Sequence, residues 1–142
     1  MDKDLKRMII LENYQNPKNK QIPTEEGYVK INSNNVSCID NLDIYVKTEN
    51  DIIKDIKYEG EACVICISST SIITNLLIGK TIEEAKDILE NYDNMIEEKP
   101  YNKDILKEAI VYDDIYKQPS RKTCATLATR GLSKLLDQTT EK

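Results

Sequence analysis

The apolar pattern turns from alternating to helical at Gly60-Glu-Ala-Cys63, and that switch fixes the order in which the chain can build its layers. Before it, Tyr28 to Ile31, Leu42 to Val46 and Ile52 to Tyr58 alternate or carry β-branched and aromatic residues, separated by Asn-rich and Glu-Asn-Asp turns. Connections that short join antiparallel neighbours, so a three-stranded meander is expected, with Leu42, Ile44 and Val46 inward and Asp43, Tyr45 and Lys47 outward. Cys38 and Asp40 fall in the loop that leads into the second strand. Cys63 falls at the join itself, just after a glycine that lets backbone come close, at the opening of a segment whose amides favour a thiolate.

After the switch the spacing is helical. Ile72, Ile73, Leu76 and Leu77 form an apolar face that stops at Gly79, a natural C-terminal stop. Thr81-Ile-Glu-Glu84 spells a capping box, and the helix it opens keeps Ile82, Ala85, Ile88, Leu89, Tyr92, Met95 and Ile96 on one side. Pro100 interrupts, and Ile105, Leu106, Ala109 and Ile110 predict a shorter helix before a Tyr-rich loop reaching Pro119. A last helix from about Ser120 to Leu136 carries Cys124, Leu127, Ala128, Leu132, Leu135 and Leu136 on one stripe, and the tail after it is expected to fray. At the other end, Leu5, Met8, Ile9 and Glu12 space a short amphipathic helix over 2–15 that stops before Asn16-Pro17, and Asn16 to Asn19 reads as a turn.

A chain of 142 residues is one domain's worth, and a net charge of −5 argues against nucleic acid as a partner, because affinity for phosphate comes from clustered Lys and Arg. No stretch approaches the apolar length that spans a bilayer, and Met-Asp-Lys-Asp lacks the form of a signal peptide, so a cytoplasmic protein without membrane partners is expected. In that compartment the four cysteines read as thiols or metal ligands, not disulfides. With no histidine in the chain, a bound metal must be held by Cys, Asp and Glu.

For any single thiol, a small apolar role in the core is the default, and Cys124 on its stripe fits it. Cys38 and Cys63 lie instead in polar loops at element boundaries, where ligands and reactive thiols are placed. Cys63-Val-Ile-Cys66 also spells C-x-x-C, which suggests a redox dithiol or half a zinc ribbon; neither the alternating fold of the first nor the second C-x-x-C of the other is present.

Taken together, the motifs carry more. Asn16-Pro17 with Asn19, Cys38 with Asp40, Gly60 with Cys63 and Ile65, Gly79-Lys80-Thr81 with Glu83-Glu84-Ala85, and Pro119 and Arg121 before Cys124, Leu127 and Ala128 resemble, in this order, the NifU/IscU-type iron–sulfur assembly proteins. Within them the SufU branch is most similar, given the long interval from Cys63 to Cys124, the extra helix expected around 102–112, and Thr123 where relatives outside that branch carry a histidine. The resemblance implies one domain over 1–142 of α/β (α+β) class, a small three-stranded antiparallel sheet packed against about five helices. It also implies that Cys38, Asp40, Cys63 and Cys124 ligate zinc or, alternatively, a transient 2Fe–2S cluster.

Cys38 would accept sulfur from a pyridoxal-phosphate-dependent cysteine desulfurase of SufS type, and iron–sulfur assembly proteins would act downstream. Such a chain is at most a sulfurtransferase working with the desulfurase, and otherwise a scaffold. The alternative from another class is an interaction module that zinc merely holds folded. Cys66 stands where a serine is usual, and three roles are open to it: a fourth metal thiolate, a resolving thiol for a persulfide on Cys63, or a neutral replacement inside the helix, the last preferred.

Overall fold

A computed structural model describes residues 1–35 and 39–140. Three strands, β1 (Val29–Asn34), β2 (Asn41–Glu49) and β3 (Ile52–Glu61), form one antiparallel sheet in the order β1-β2-β3. Among the described residues four α-helices accompany it: α1 (Lys3–Gln15), α2 (Val64–Leu77), α3 (Ile82–Ile96) and α4 (Pro119–Thr140). The α+β class and the meander agree with the sequence expectation, and Leu42, Ile44 and Val46 are buried as the alternation requires. All three strands run longer than the apolar alternation suggested, and β2 and β3 slip register between Lys47 and Thr48.

One continuous core joins the sheet to the helices, with α2 at its centre, in contact with α1, α4 and β3. Burial surrounds α2 on every side, and the sequence reading of a single apolar face missed this because Ser68, Ser69, Thr70, Ser71 and Thr74 are buried too. A buried hydroxyl must be hydrogen-bonded. Ser69 and Thr70 donate to the carbonyl of Cys66 at 3.0 and 2.7 Å, and Thr74 donates to that of Thr70 at 2.8 Å. Small side chains that satisfy themselves this way let neighbouring elements come close on all sides.

Two of these hydroxyls also anchor the N-terminal segment. The Ser71 hydroxyl donates to Asn13 Oδ1 at 2.7 Å and accepts from the Lys18 amide at 2.9 Å, while Asn19 Nδ2 donates to Thr74 Oγ1 at 3.1 Å. The turn at Asn16 to Asn19 is therefore a clamp between α1, α2 and β3, whose Tyr58 amide donates to the Asn19 carbonyl. The same contacts correct the face of α1. Asn13, Ile9 and Ile10 face the protein, whereas Leu5 and Met8 are 43% and 66% exposed, because the part of α2 opposite α1 offers a hydroxyl rather than an apolar ridge.

The capping box is present in full, with the Glu84 amide donating to Thr81 Oγ1 at 3.1 Å and the Thr81 amide to Glu84 Oε1 at 3.0 Å. The seven residues read as the inner face of α3 are its buried ones. The helix expected after Pro100 takes another form, three 3-10 turns at Lys103–Ile105, Lys107–Tyr112 and Ile115–Lys117. These bury Leu106, Ala109, Val111 and Tyr112 against α1 and α2, and short polar interruptions such as Asp113-Asp114 stop a regular α-helix from continuing. Pro119 opens α4 at a position where its missing N–H costs nothing, and α4 extends to Thr140, past the Leu136 at which the sequence pattern ends it. Among the described residues no helix is long and apolar enough to cross a membrane.

Gly60 and Gly79 both sit at positive φ, but for different reasons. A Cβ at Gly60 would lie 2.1 Å from the Asn41 carbonyl oxygen across the sheet, whereas one at Gly79 meets nothing within 4 Å. Gly79→Ala should therefore cost only the conformational strain, about 1 kcal/mol, and Gly60→Ala more than about 3 kcal/mol, because backbone must move. Urea unfolding of the two variants checks this; equal losses would contradict the close approach.

Candidate metal centre

The end of β3 and the start of β2 lie side by side, with Asn41 paired to Glu61. That pairing brings Asp40, just before β2, next to Cys63, just after β3. Asp40 is 1% exposed, and its Oδ1 accepts the Cys63 amide at 2.8 Å while Oδ2 lies 3.7 Å from Cys63 Sγ. Its own carbonyl accepts the Asn35 amide at 2.9 Å, which ties the two ends of the β1–β2 loop together.

Cys63 is the N-cap of α2, with extended backbone, and its Sγ accepts the Cys66 amide at 3.5 Å. A thiolate there meets a helix N-terminus, whose unpaired amides favour negative charge. Cys124 reaches the same place from the second turn of α4. One ligand atom each from Asp40, Cys63 and Cys124 lie within 4.8 Å of one another, the one such cluster of metal-binding side chains among the described residues. Cys63 and Cys124 are half-buried and open onto a cavity of about 600 Å³, which Val64, Arg121 and Thr123 also line.

The electrostatics of this cluster suit a cation. Burial pushes the Cys124 thiol well above its usual range, and contact with Cys63 and Asp40 pushes it further. A divalent cation among these donors would reverse that penalty for the Cys124 thiol.

Of the expected ligands, the structure brings Asp40, Cys63 and Cys124 together, and Cys38 lies outside the described residues. Cys124 is thus at the site and not simply part of the core stripe. Cys66 stays apart from the cluster: it is fully buried on α2, and burial, followed by the nearby Asp40, Cys63 and Cys124, raises its pKa. Two apolar residues beside the site had no role in the sequence reading, Ile39 at 72% exposure and Val64 at 36%. The available signal was an isoleucine in a polar loop between two candidate ligands.

Fold and site together describe an α+β protein with a cysteine–aspartate centre at one end of its sheet. The chain belongs to the NifU-like N-terminal domain family, whose model matches residues 6–125 and so includes all four candidate ligands. It is 34% identical over 131 residues to the zinc-dependent sulfurtransferase SufU of Bacillus subtilis, covering 92% of this chain and 88% of that protein. It is 31% identical over 123 residues to the iron–sulfur cluster assembly scaffold protein IscU of Thermotoga maritima, covering 87% of each. A crystal structure from Fervidobacterium islandicum, described as a candidate iron–sulfur cluster assembly scaffold for the SUF system, superposes with a TM-score of 0.80 at 29% identity, over 87% of this chain and 90% of that one. The N-terminal part of a NifU-like protein from Brucella abortus shares the fold at a TM-score of 0.83 and 19% identity, over 94% of this chain and 93% of that one.

Native thiol reactivity follows from these burials. Iodoacetamide read by mass spectrometry should modify Cys63 and Cys124 in the metal-depleted folded protein and reach Cys66 only after unfolding; modification of Cys66 at the rate of Cys63 would contradict its burial. Asp40→Ala leaves the Cys63 amide without its acceptor and should cost about 1–3 kcal/mol in urea unfolding, which Asp40→Asn should largely restore.

Proposed function

We propose that residues 1–142 act as one NifU-like domain that takes persulfide sulfur from a cysteine desulfurase at a zinc-binding site formed by Cys38, Asp40, Cys63 and Cys124. The observation that supports this most is the convergence of Asp40, Cys63 and Cys124 from three separate elements. Two thiols and a carboxylate, in a chain without histidine, suit zinc. The 3.7 Å between Cys63 Sγ and Asp40 Oδ2 is the spacing of two ligands on one tetrahedral zinc, about 3.5–3.8 Å. Cys38 is two residues from Asp40, so its Cα lies at most about 7 Å from that of Asp40, near enough for the fourth place. The first relative described above is named a zinc-dependent sulfurtransferase, in keeping with this assignment.

Zinc bound there would hold the thiols as thiolates at neutral pH. The protein's own groups do the rest. Asp40 fixes the start of α2 through the Cys63 amide, and so sets where the Cys63 thiol stands. Cys38, on the loop between β1 and β2, is the acceptor: its thiolate attacks the outer sulfur of the desulfurase persulfide, a new S–S bond forms, and the desulfurase thiolate leaves. Exposed Ile39 beside it offers apolar surface to the arriving protein. A carboxylate ligand exchanges more readily from a soft metal site than a thiolate does, which suits a centre whose bonds must open.

A second reading, a scaffold that carries a transient 2Fe–2S cluster on the same four residues, is favoured by the relative named as an IscU scaffold. Downstream iron–sulfur assembly proteins are partners under either reading. A zinc that only holds the fold is the remaining alternative.

The test is transfer of labelled sulfur from cysteine through a pyridoxal-phosphate cysteine desulfurase, with the label mapped by mass spectrometry. Label should appear on Cys38 in protein carrying about one zinc per chain, and Cys38→Ala should lose it at least tenfold. Transfer to Cys38→Ala at the wild-type rate would overturn the role of Cys38. No label on any thiol, with iron and sulfide reconstitution also failing, would leave a structural metal.

A further inference from the structure

Cys66 takes no part in the site proposed above, yet its backbone touches it. Cys63 at the N-cap and Cys66 three residues on make the opening turn of α2, with the Cys66 amide on Cys63 Sγ at 3.5 Å. Residues one helical turn apart have Cα atoms about 5 Å apart, within the range a disulfide spans. The two thiols differ in access. Cys63 opens onto the cavity of about 600 Å³, whereas Cys66 has no exposed surface, so the sulfur it can reach is one carried on a group it already touches.

We propose that Cys63 and Cys66 are a dithiol that reduces a sulfur atom carried as a persulfide on Cys63 and releases it as hydrosulfide. The proposal rests on the sulfur-acceptor reading and adds the step that follows it. Cys63 receives the outer sulfur from a persulfide donor such as Cys38, whose thiolate leaves. Cys66 Sγ then attacks Cys63 Sγ. The Cys63–Cys66 disulfide forms, the bond from Cys63 to the outer sulfur breaks, and that sulfur departs with the Cys66 proton as hydrosulfide. The two electrons that take the outer sulfur to the sulfide level come from the Cys63–Cys66 pair, and an external dithiol restores it. Hydrosulfide leaves through the cavity onto which Cys63 opens.

The geometry gives this role to Cys66 by position along α2. Cys124 approaches from another helix and is the competing thiol, so the pairing is open to direct observation. Cys66→Ser keeps the size of the side chain and offers a hydroxyl that can bond back to a helix carbonyl, as Ser68 does to the Ile65 carbonyl at 3.2 Å on the same helix.

The experiment loads purified protein with sodium tetrasulfide, removes excess reagent by desalting, and follows sulfide release without reductant, before and after chelator treatment. Inorganic polysulfide separates this step from desulfurase transfer, so failure here leaves the acceptor reading standing, and failure of desulfurase labelling is read in the other experiment, apart from this one. In at least one of the two arms, wild type should release about one hydrosulfide per chain and then stop, with a Cys63–Cys66 disulfide mapped by differential alkylation, and a dithiol should restart it. Cys66→Ser should keep its persulfide on Cys63 and release at least tenfold less, while its circular dichroism and metal content match wild type. Equal release from wild type and Cys66→Ser, a Cys63–Cys124 disulfide in place of Cys63–Cys66, or no persulfide on Cys63 of Cys66→Ser in either arm would overturn the proposal.

Discussion

The hydrogen bond from the half-buried Cys63 amide to the buried Asp40 carboxylate, 2.8 Å long, is the constraint on which the site depends. It joins the start of β2 to the start of α2 at the point where sheet gives way to helix. A carboxylate this deeply buried is costly unless it is hydrogen-bonded or faces a cation, and Asp40 meets the first condition itself. Its second oxygen accepts from the Cys63 thiol at 3.7 Å, the place where a cation would meet the other condition. One side chain thus orders the local backbone and supplies an anion to the candidate centre. Gly60 makes the arrangement possible, since any larger residue there would push the Asn41 backbone, and Asp40 with it, away from Cys63.

Helix α2 transmits that constraint to the rest of the fold. Its hydroxyls bond back to its own carbonyls, so its surface is narrow and α1, α4 and the sheet can pack against it together. α4 needs the same close approach on the other side, where Gly131 lies against Ser33 and Ile44, and the Ser33 hydroxyl donates to the Leu127 carbonyl at 2.7 Å. These contacts fix the height of α4 relative to the sheet and so place Cys124 beside Cys63. The cluster of Asp40, Cys63 and Cys124 is therefore a consequence of packing: three elements meet at one end because small residues let them.

Much of this was legible in the sequence where a local rule has one outcome. Alternation identified the inner faces of the strands, and Thr81 with Glu84 identified the start of α3 together with the inner face that follows. The family resemblance implied one site of Cys38, Asp40, Cys63 and Cys124, and the structure brings the last three together, Cys38 lying outside the described residues. Less legible were features that depend on what lies opposite. The serines and threonines of α2 read as polar, but each is satisfied where it is buried: Ser69 and Thr70 by the Cys66 carbonyl, Ser68 with Tyr112, and Ser71 and Thr74 by α1 and the Asn16–Asn19 turn. Leu5 and Met8 read as an inner face by spacing, but α2 presents Ser71 to α1 and selects Asn13 instead. The apolar spacing after Pro100 predicted an α-helix, and the chain forms 3-10 turns that bury Leu106 and Ala109 and half-bury Ile105 and Ile110 without a continuous helix.

The central claim is that a metal is held by three sulfurs and one oxygen, with Asp40 as a ligand and Cys66 excluded. X-ray absorption at the zinc edge of the purified protein tests this most directly. The account predicts a first shell of three sulfurs at about 2.3 Å and one oxygen at about 2.0–2.2 Å, with the oxygen shell altered in Asp40→Ala. A shell of four sulfurs that loses one in Cys66→Ser would contradict it, because Cys66 would then be a ligand and Asp40 a structural acceptor alone.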